Sequence, residues 1–114
     1  MKIKESMYQK VAVLSLRGKL MGSPETKELY NEVCLLIQDG VIRVVFDLTH
    51  LNWINSMGMG MIMKCLTTLN KANGHLRLVG LSEKTRSVFI MTQLINVFVF
   101  HDSVDSAVEE LNKI

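Results

Sequence analysis

Between Val11 and Arg17 the chain alternates, Ala12, Leu14 and Leu16 against Val13, Ser15 and Arg17, the period of a strand whose two faces meet different surroundings. Residues 3–9 and 11–17 read as two strands. Their short separation at Gln9 and Lys10 makes them an antiparallel hairpin, because a parallel pair needs a crossover of about a dozen residues or more. After Gly18 the period changes. Ser23 is placed as a side-chain cap, Pro24 brings a preset φ and Glu25 an acid for the first turn of a helix. Leu29, Val33, Leu36 and Ile37 form its apolar stripe, and Asp39 with Gly40 closes it.

Residues 41–48 return to strand periodicity, with Ile42, Val44, Phe46 and Leu48 on one face and Arg43 and Asp47 on the other. That polar side predicts a sheet not fully covered by helices. Asn52 and Asn55 break the run, so a tight loop is expected before a helix over 56–73, with Asn55 or Ser56 at its cap and Gly74 in the left-handed position after it. A strand over 75–80 follows, Arg77 facing away from Leu76 and Leu78. Ser82 caps a helix carrying Val88, Phe89 and Leu94; residues 97–100 form a short strand; Ser103 caps a last helix with Ala107, Val108 and Leu111 inward. The order ββαβαβαβα predicts an α/β fold, a mixed β-sheet of about five strands with helices mainly on one face, the later strands parallel with right-handed crossovers.

With 114 residues, 48% of them hydrophobic, the chain suffices for one core and is too short for two, so 1–114 is expected to be a single domain. The 13 basic and 11 acidic residues are spread without a basic block, which argues against direct nucleic-acid binding at a net charge of +2. No apolar run approaches the ~20 residues of a membrane span and no signal segment opens the chain, so a cytoplasmic protein is expected. Cys34 and Cys65 fall in helices without metal-ligand spacing, and His50, His75 and His101 are scattered. Reduced thiols and no metal or cofactor are the expectation.

Candidate chemistry gathers at the end of the third strand. Ser56 is flanked by Asn55, Met57 and Gly58, without the GxSxG elbow of a nucleophilic serine and without a marked second catalytic group, so no enzyme is expected. Gly58 and Gly60 fit no phosphate-loop pattern and are assigned to close packing of the helix start against the sheet. Asp47, near a strand end, leaves a receiver-like phosphoaspartate switch as an alternative, although no acidic pair lies at the end of an earlier strand to hold magnesium. Met59, Ile62, Met63 and Leu66 occupy the expected core face of the helix. Met57 and Met61 lie on the side shared with Lys64 and Thr68, and are either more of a methionine-rich core or an adaptable docking patch. Trp53 is either a plug under the loop or a contact beside Ser56.

An apolar strand ending in Asp47 and Leu48, a short loop, then Asn55, Ser56, Met57 and Gly58 opening a helix resembles the signature of STAS domains, the family of anti-sigma-factor antagonists. The resemblance takes in Gly18 after the second strand, the 76–80 strand and the closing helix of Ser103 and Ala107. It implies a non-catalytic binding module in which Ser56 is phosphorylated by an anti-sigma factor that is also a serine kinase and dephosphorylated by a metal-dependent serine phosphatase. The unphosphorylated form would bind the kinase and release the sigma factor. Asn55 stands where the family has an acid; the amide keeps the capping geometry but not the charge. Trp53, Asn55, Ser56, Met57, Gly58 and Met61 are the candidate partner-binding residues, and a monomer or weak dimer is expected. Other STAS domains serve in stress-signalling complexes or as regulatory parts of anion transporters.

Overall fold

The computed structural model describes residues 1–114. Strand β1 (Lys2–Tyr8) turns at Gln9, in the left-handed region at φ 59°, into β2 (Val11–Leu20). Then follow α1 (Glu25–Gln38), β3 (Arg43–Asp47), β4 (Leu51–Ile54), α2 (Ser56–Lys71), β5 (His75–Val79), α3 (Glu83–Met91), β6 (Phe100–His101) and α4 (Val104–Asn112). The sheet runs β1-β2-β3-β5-β6, with β4 paired separately to β2. The β1/β2 hairpin is antiparallel, from Lys2 opposite Arg17 to Tyr8 opposite Val11, and every other pairing is parallel.

The main core lies between one face of the sheet and α1, α2 and α3. Leu14, Leu16, Val44, Phe46, Leu76 and Leu78 meet Leu29, Val33, Met59, Ile62, Leu69 and Phe89 there. Phe89 packs edge-on against Phe98 and Phe100, with centroids 5.5 and 5.8 Å away, a favoured aromatic geometry. The opposite face, expected to be partly uncovered, carries a second cluster. Val11, Val13, Val45 and Val79 are closed over by Ala107 and Leu111 of α4. Three helices on one side and one on the other agree with helices mainly on one face, whereas the flanking Arg43 and Asp47 concealed the apolar centre of the second face.

Six strands form rather than five. The segment expected as loop contains β4, whose Leu51 and Ile54 are buried while Asn52 and Trp53 face outward. Strand β2 does not end before Gly18. Its register shifts between Gly18 and Lys19, and its last residues leave β3 to pair with β4. Gly18 is needed inside the strand because its φ is 109° and a Cβ there would lie 3.3 Å from the Met1 Cα.

Five local expectations differ from the structure. Ser23 caps nothing: Pro24 occupies the N-cap of α1 without a side-chain bond, and the Thr26 N–H is taken by the Gly22 carbonyl at 3.0 Å instead. After α2 the left-handed residue is Asn73, φ 60°, while Gly74 is required by close approach, since a Cβ would strike the Ile42 carbonyl oxygen. A Cβ on Gly60 would meet nothing within 4 Å, so close packing of the helix start does not require that glycine. The strand expected over 97–100 shrinks to Phe100–His101, and Leu94 follows the end of α3 rather than lying within it.

Candidate functional site

Ile54, buried at the end of β4, anchors the turn into α2. Asn55 next to it is extended, with φ −111° and ψ −175°, and is the N-cap. Its Oδ1 accepts the Gly58 N–H at 2.9 Å while its Nδ2 donates to the Met21 carbonyl at 2.8 Å. One amide therefore caps the helix and ties it to the segment leaving β2, using an acceptor and a donor that no carboxylate combines. Gly58 completes the seat: a Cβ there would overlap the Leu20 carbonyl oxygen and lie 2.8 Å from the Ile54 side chain. The close-packing role expected of this glycine holds.

Because Asn55 caps, Ser56 becomes the first helical residue, exposed, with its hydroxyl bonded to no protein group. The first turn of α2 contains no acid. Around it lie exposed apolar side chains. Met57 is 63% exposed and its Cε approaches Gly22, Met21 is 43% exposed, and Trp53 is 37% exposed with the Lys84 ammonium 5.2 Å from its ring centroid. Trp53 is thus a surface residue at the end of β4 and not a plug. Met61 separates from this group. Its side of α2 faces α1, where Lys64 stacks 4.3 Å over Tyr30 and the Tyr30 hydroxyl meets Thr68 at 3.1 Å, so Met61 is half-buried against the main core.

Met21 and Lys84 were not legible as site residues. They arrive from the bent end of β2 and the first turn of α3, and no local pattern links them to Ser56. Asp47 proves to be a turn former: one carboxylate oxygen accepts both the Thr49 N–H at 3.1 Å and the Thr49 hydroxyl at 2.6 Å. Gly80 packs directly on that threonine. No group of three or more His, Cys, Asp or Glu is arranged to hold a metal ion. Cys34 and Cys65 are free thiols; burial first, and then the neighbouring Cys34, pushes Cys65 up to about 12, so it stays protonated and unreactive near neutrality.

One cluster escaped the sequence. His101 bonds Ser106 Oγ through Nδ1 at 2.7 Å and Glu110 through Nε2 at 3.0 Å, and the same Glu110 oxygen accepts from Arg77 Nε at 2.6 Å. Arg77 first, and then His101, hold the Glu110 carboxyl below its ordinary value. The oxygen facing His101 is already neutralised by a guanidinium, which favours a structural tie of α4 to β5 and β6 over proton relay.

The family model described as STAS domain matches residues 3–107. BtrV of Bordetella bronchiseptica, a candidate anti-sigma factor antagonist, is 26% identical over 107 residues, covering 94% of this chain and 91% of that protein. A candidate anti-sigma factor antagonist of Thermotoga maritima has the same fold at a TM-score of 0.86 and 21% identity, over 96% of this chain and 94% of that one. The anti-sigma factor antagonist SpoIIAA in its unphosphorylated form matches at 0.77 and 19% identity over 99% and 100%. The phosphorylated form of the Bacillus SpoIIAA matches at 0.74 and 18% identity over 96% and 98%.

Proposed function

This chain belongs to the STAS domain family, and we propose that it acts as an anti-sigma factor antagonist, a binding module switched by phosphorylation at Ser56. The observation that carries this reading is the division of labour at the start of α2. Asn55 takes the capping bond, and the Ser56 hydroxyl is left exposed and uncommitted among Met21, Trp53 and Met57. A relative of the same fold occurs in an unphosphorylated and a phosphorylated form, which supports a switch that leaves the fold in place.

In the unphosphorylated state the apolar group of Met21, Trp53 and Met57 docks an anti-sigma factor that is also a serine kinase, and the sigma factor is released. A phosphate on Ser56 adds about −1.5 to −2 charges where unpaired N–H groups and the helix dipole tolerate them, so the domain stays folded. The partner, however, must desolvate that dianion or meet it with like charge, and the complex is lost. A serine phosphatase resets the switch. Asn55 in place of an acid removes one negative charge beside the incoming phosphate while preserving the cap. The domain works in the cytoplasm as a monomer or weak dimer and performs no catalysis itself; no helix is long and apolar enough to cross a membrane.

Incubation with its cognate anti-sigma factor kinase is expected to add one acid-stable phosphate at Ser56. Ser56→Ala is expected to bind the kinase constitutively and Ser56→Asp poorly. Mass spectrometry after alkaline hydroxylamine, which cleaves an acyl phosphate and spares phosphoserine, separates Ser56 from Asp47. Label lost in that treatment, or retained in Ser56→Ala, would sink the mechanism.

A further inference from the structure

The carboxyl ends of β5 and β6 hold a cavity that takes no part in the switch at Ser56. β5 leads into α3 on the main-core face, whereas β6 leads into α4 on the opposite face. Adjacent parallel strands whose following helices leave to opposite sides open a crevice beyond their carboxyl ends, the place where open α/β sheets bind ligands. Here the crevice has a volume of about 240 Å³ and is lined by Gly80, Leu81, Arg86, Phe100, His101 and Asp102.

The lining is polar and divided by sign. Arg86 is exposed and has no carboxylate partner; the three ion pairs of the molecule use Arg77, His101 and Lys113. The backbone N–H groups of Gly80, Leu81 and Asp102 donate to no backbone carbonyl. Gly80, at φ 82°, makes the turn that follows β5, with Thr49 packed against its back. His101 is fixed as a wall by its bonds to Ser106 and Glu110. A guanidinium with free N–H groups suits an anionic group, the Asp102 carboxylate accepts from hydroxyls, and Leu81 with Phe100 offers an apolar face. The volume lies below the ~300 Å³ at which pockets for drug-sized ligands begin.

We propose that this cavity binds a small polyhydroxy phosphate, up to the size of a phosphorylated pentose, with the phosphate on Arg86 and a hydroxyl on Asp102. The site shares no residue with the Ser56 surface and stands independently of the proposed switch.

The test is an amide NMR titration of the full ¹⁵N-labelled chain with ribose 5-phosphate, ribose and inorganic phosphate at constant ionic strength. Saturable shifts at Gly80, Leu81 and Asp102 are expected with ribose 5-phosphate, weaker ones with inorganic phosphate and none with ribose. Arg86→Gln should weaken ribose 5-phosphate binding about tenfold, the usual size of a lost charged hydrogen bond. Asp102→Asn should bring ribose 5-phosphate down to the affinity of inorganic phosphate. Both positions are exposed, so both variants should keep the wild-type thermal midpoint and spectrum. Absence of saturable shifts, shifts centred elsewhere, or an Arg86→Gln chain that binds as wild type would overturn the site. Equal affinity of the wild type for inorganic phosphate and ribose 5-phosphate would overturn the assigned ligand class.

Discussion

Asn55 carries two bonds of different kinds, and its substitutions separate them. Asn55→Ala removes the cap of α2 and the tie to Met21, and should cost at least about 1 kcal/mol in urea unfolding, the usual worth of a capping side chain. Asn55→Asp keeps an oxygen for the Gly58 N–H and gains from the helix dipole, but loses the amide donor to the Met21 carbonyl, so its stability should fall between Asn55→Ala and wild type. Gly58→Ala should lose more than either, because its Cβ would meet the Leu20 carbonyl backbone rather than a yielding side chain. An Asn55→Asp chain less stable than Asn55→Ala would mean that the capping bond is not the main contribution. Ser56 and its cap were legible because capping chemistry is local, confined to residues a turn apart. Met21, 34 positions from Asn55, was not, because only the bend of β2 at Gly18 brings it there.

Among the elements, α2 shows where helical spacing stops being informative. Met57 and Met61 share one side of the helix, yet the first is exposed and the second is half-buried against the main core, since Tyr30 of α1 covers only the farther turns. Met57→Lys should therefore move stability by no more than about 0.5 kcal/mol, as surface changes do, while weakening capture of the anti-sigma factor. Met61→Lys should lower the thermal midpoint clearly, because its ammonium would enter an apolar setting without a partner. Thermal melts of the two single variants, each compared with binding, check the assignment; equal melts would return Met61 to the docking surface. Strand β4 was lost for a related reason. Its buried residues are Leu51 and Ile54, three apart, a spacing that alternation cannot express, and its partner is the far end of a strand that appeared to stop at Gly18.

At the scale of the whole molecule, helices pack on both faces of the sheet while β1 stays largely exposed, and the carboxylates at its two sides respond to pH with opposite sign. The β1/β2 hairpin, the parallel strands that follow it and the main core were legible in the periodicity and spacing. The closing of the second face by α4 did not, because Val45 and Val79 sit between Arg43, Asp47 and Arg77 and read as a polar side. Glu110 on α4 is held below the ordinary 4.5 by Arg77 and then His101, so its contribution is present above the unfolded value and is lost as pH falls through the folded one. Glu32 on α1 is raised above the ordinary carboxyl value, first by burial and then by the neighbouring Glu5 carboxyl. Its contribution is full below the unfolded value and is lost as pH rises through the folded one. Urea unfolding from pH 7 to pH 3 should accordingly find Glu110→Gln less stable than wild type at neutral pH, with the gap narrowing in acid. Glu32→Gln should gain on wild type as pH rises, because the amide removes a charge facing Glu5 and Glu28. Glu110 is 43% exposed, so its share should shrink in high salt, whereas that of the Glu32 burial should persist. Parallel pH profiles for wild type and both variants would show that neither carboxylate changes its affinity for protons on folding.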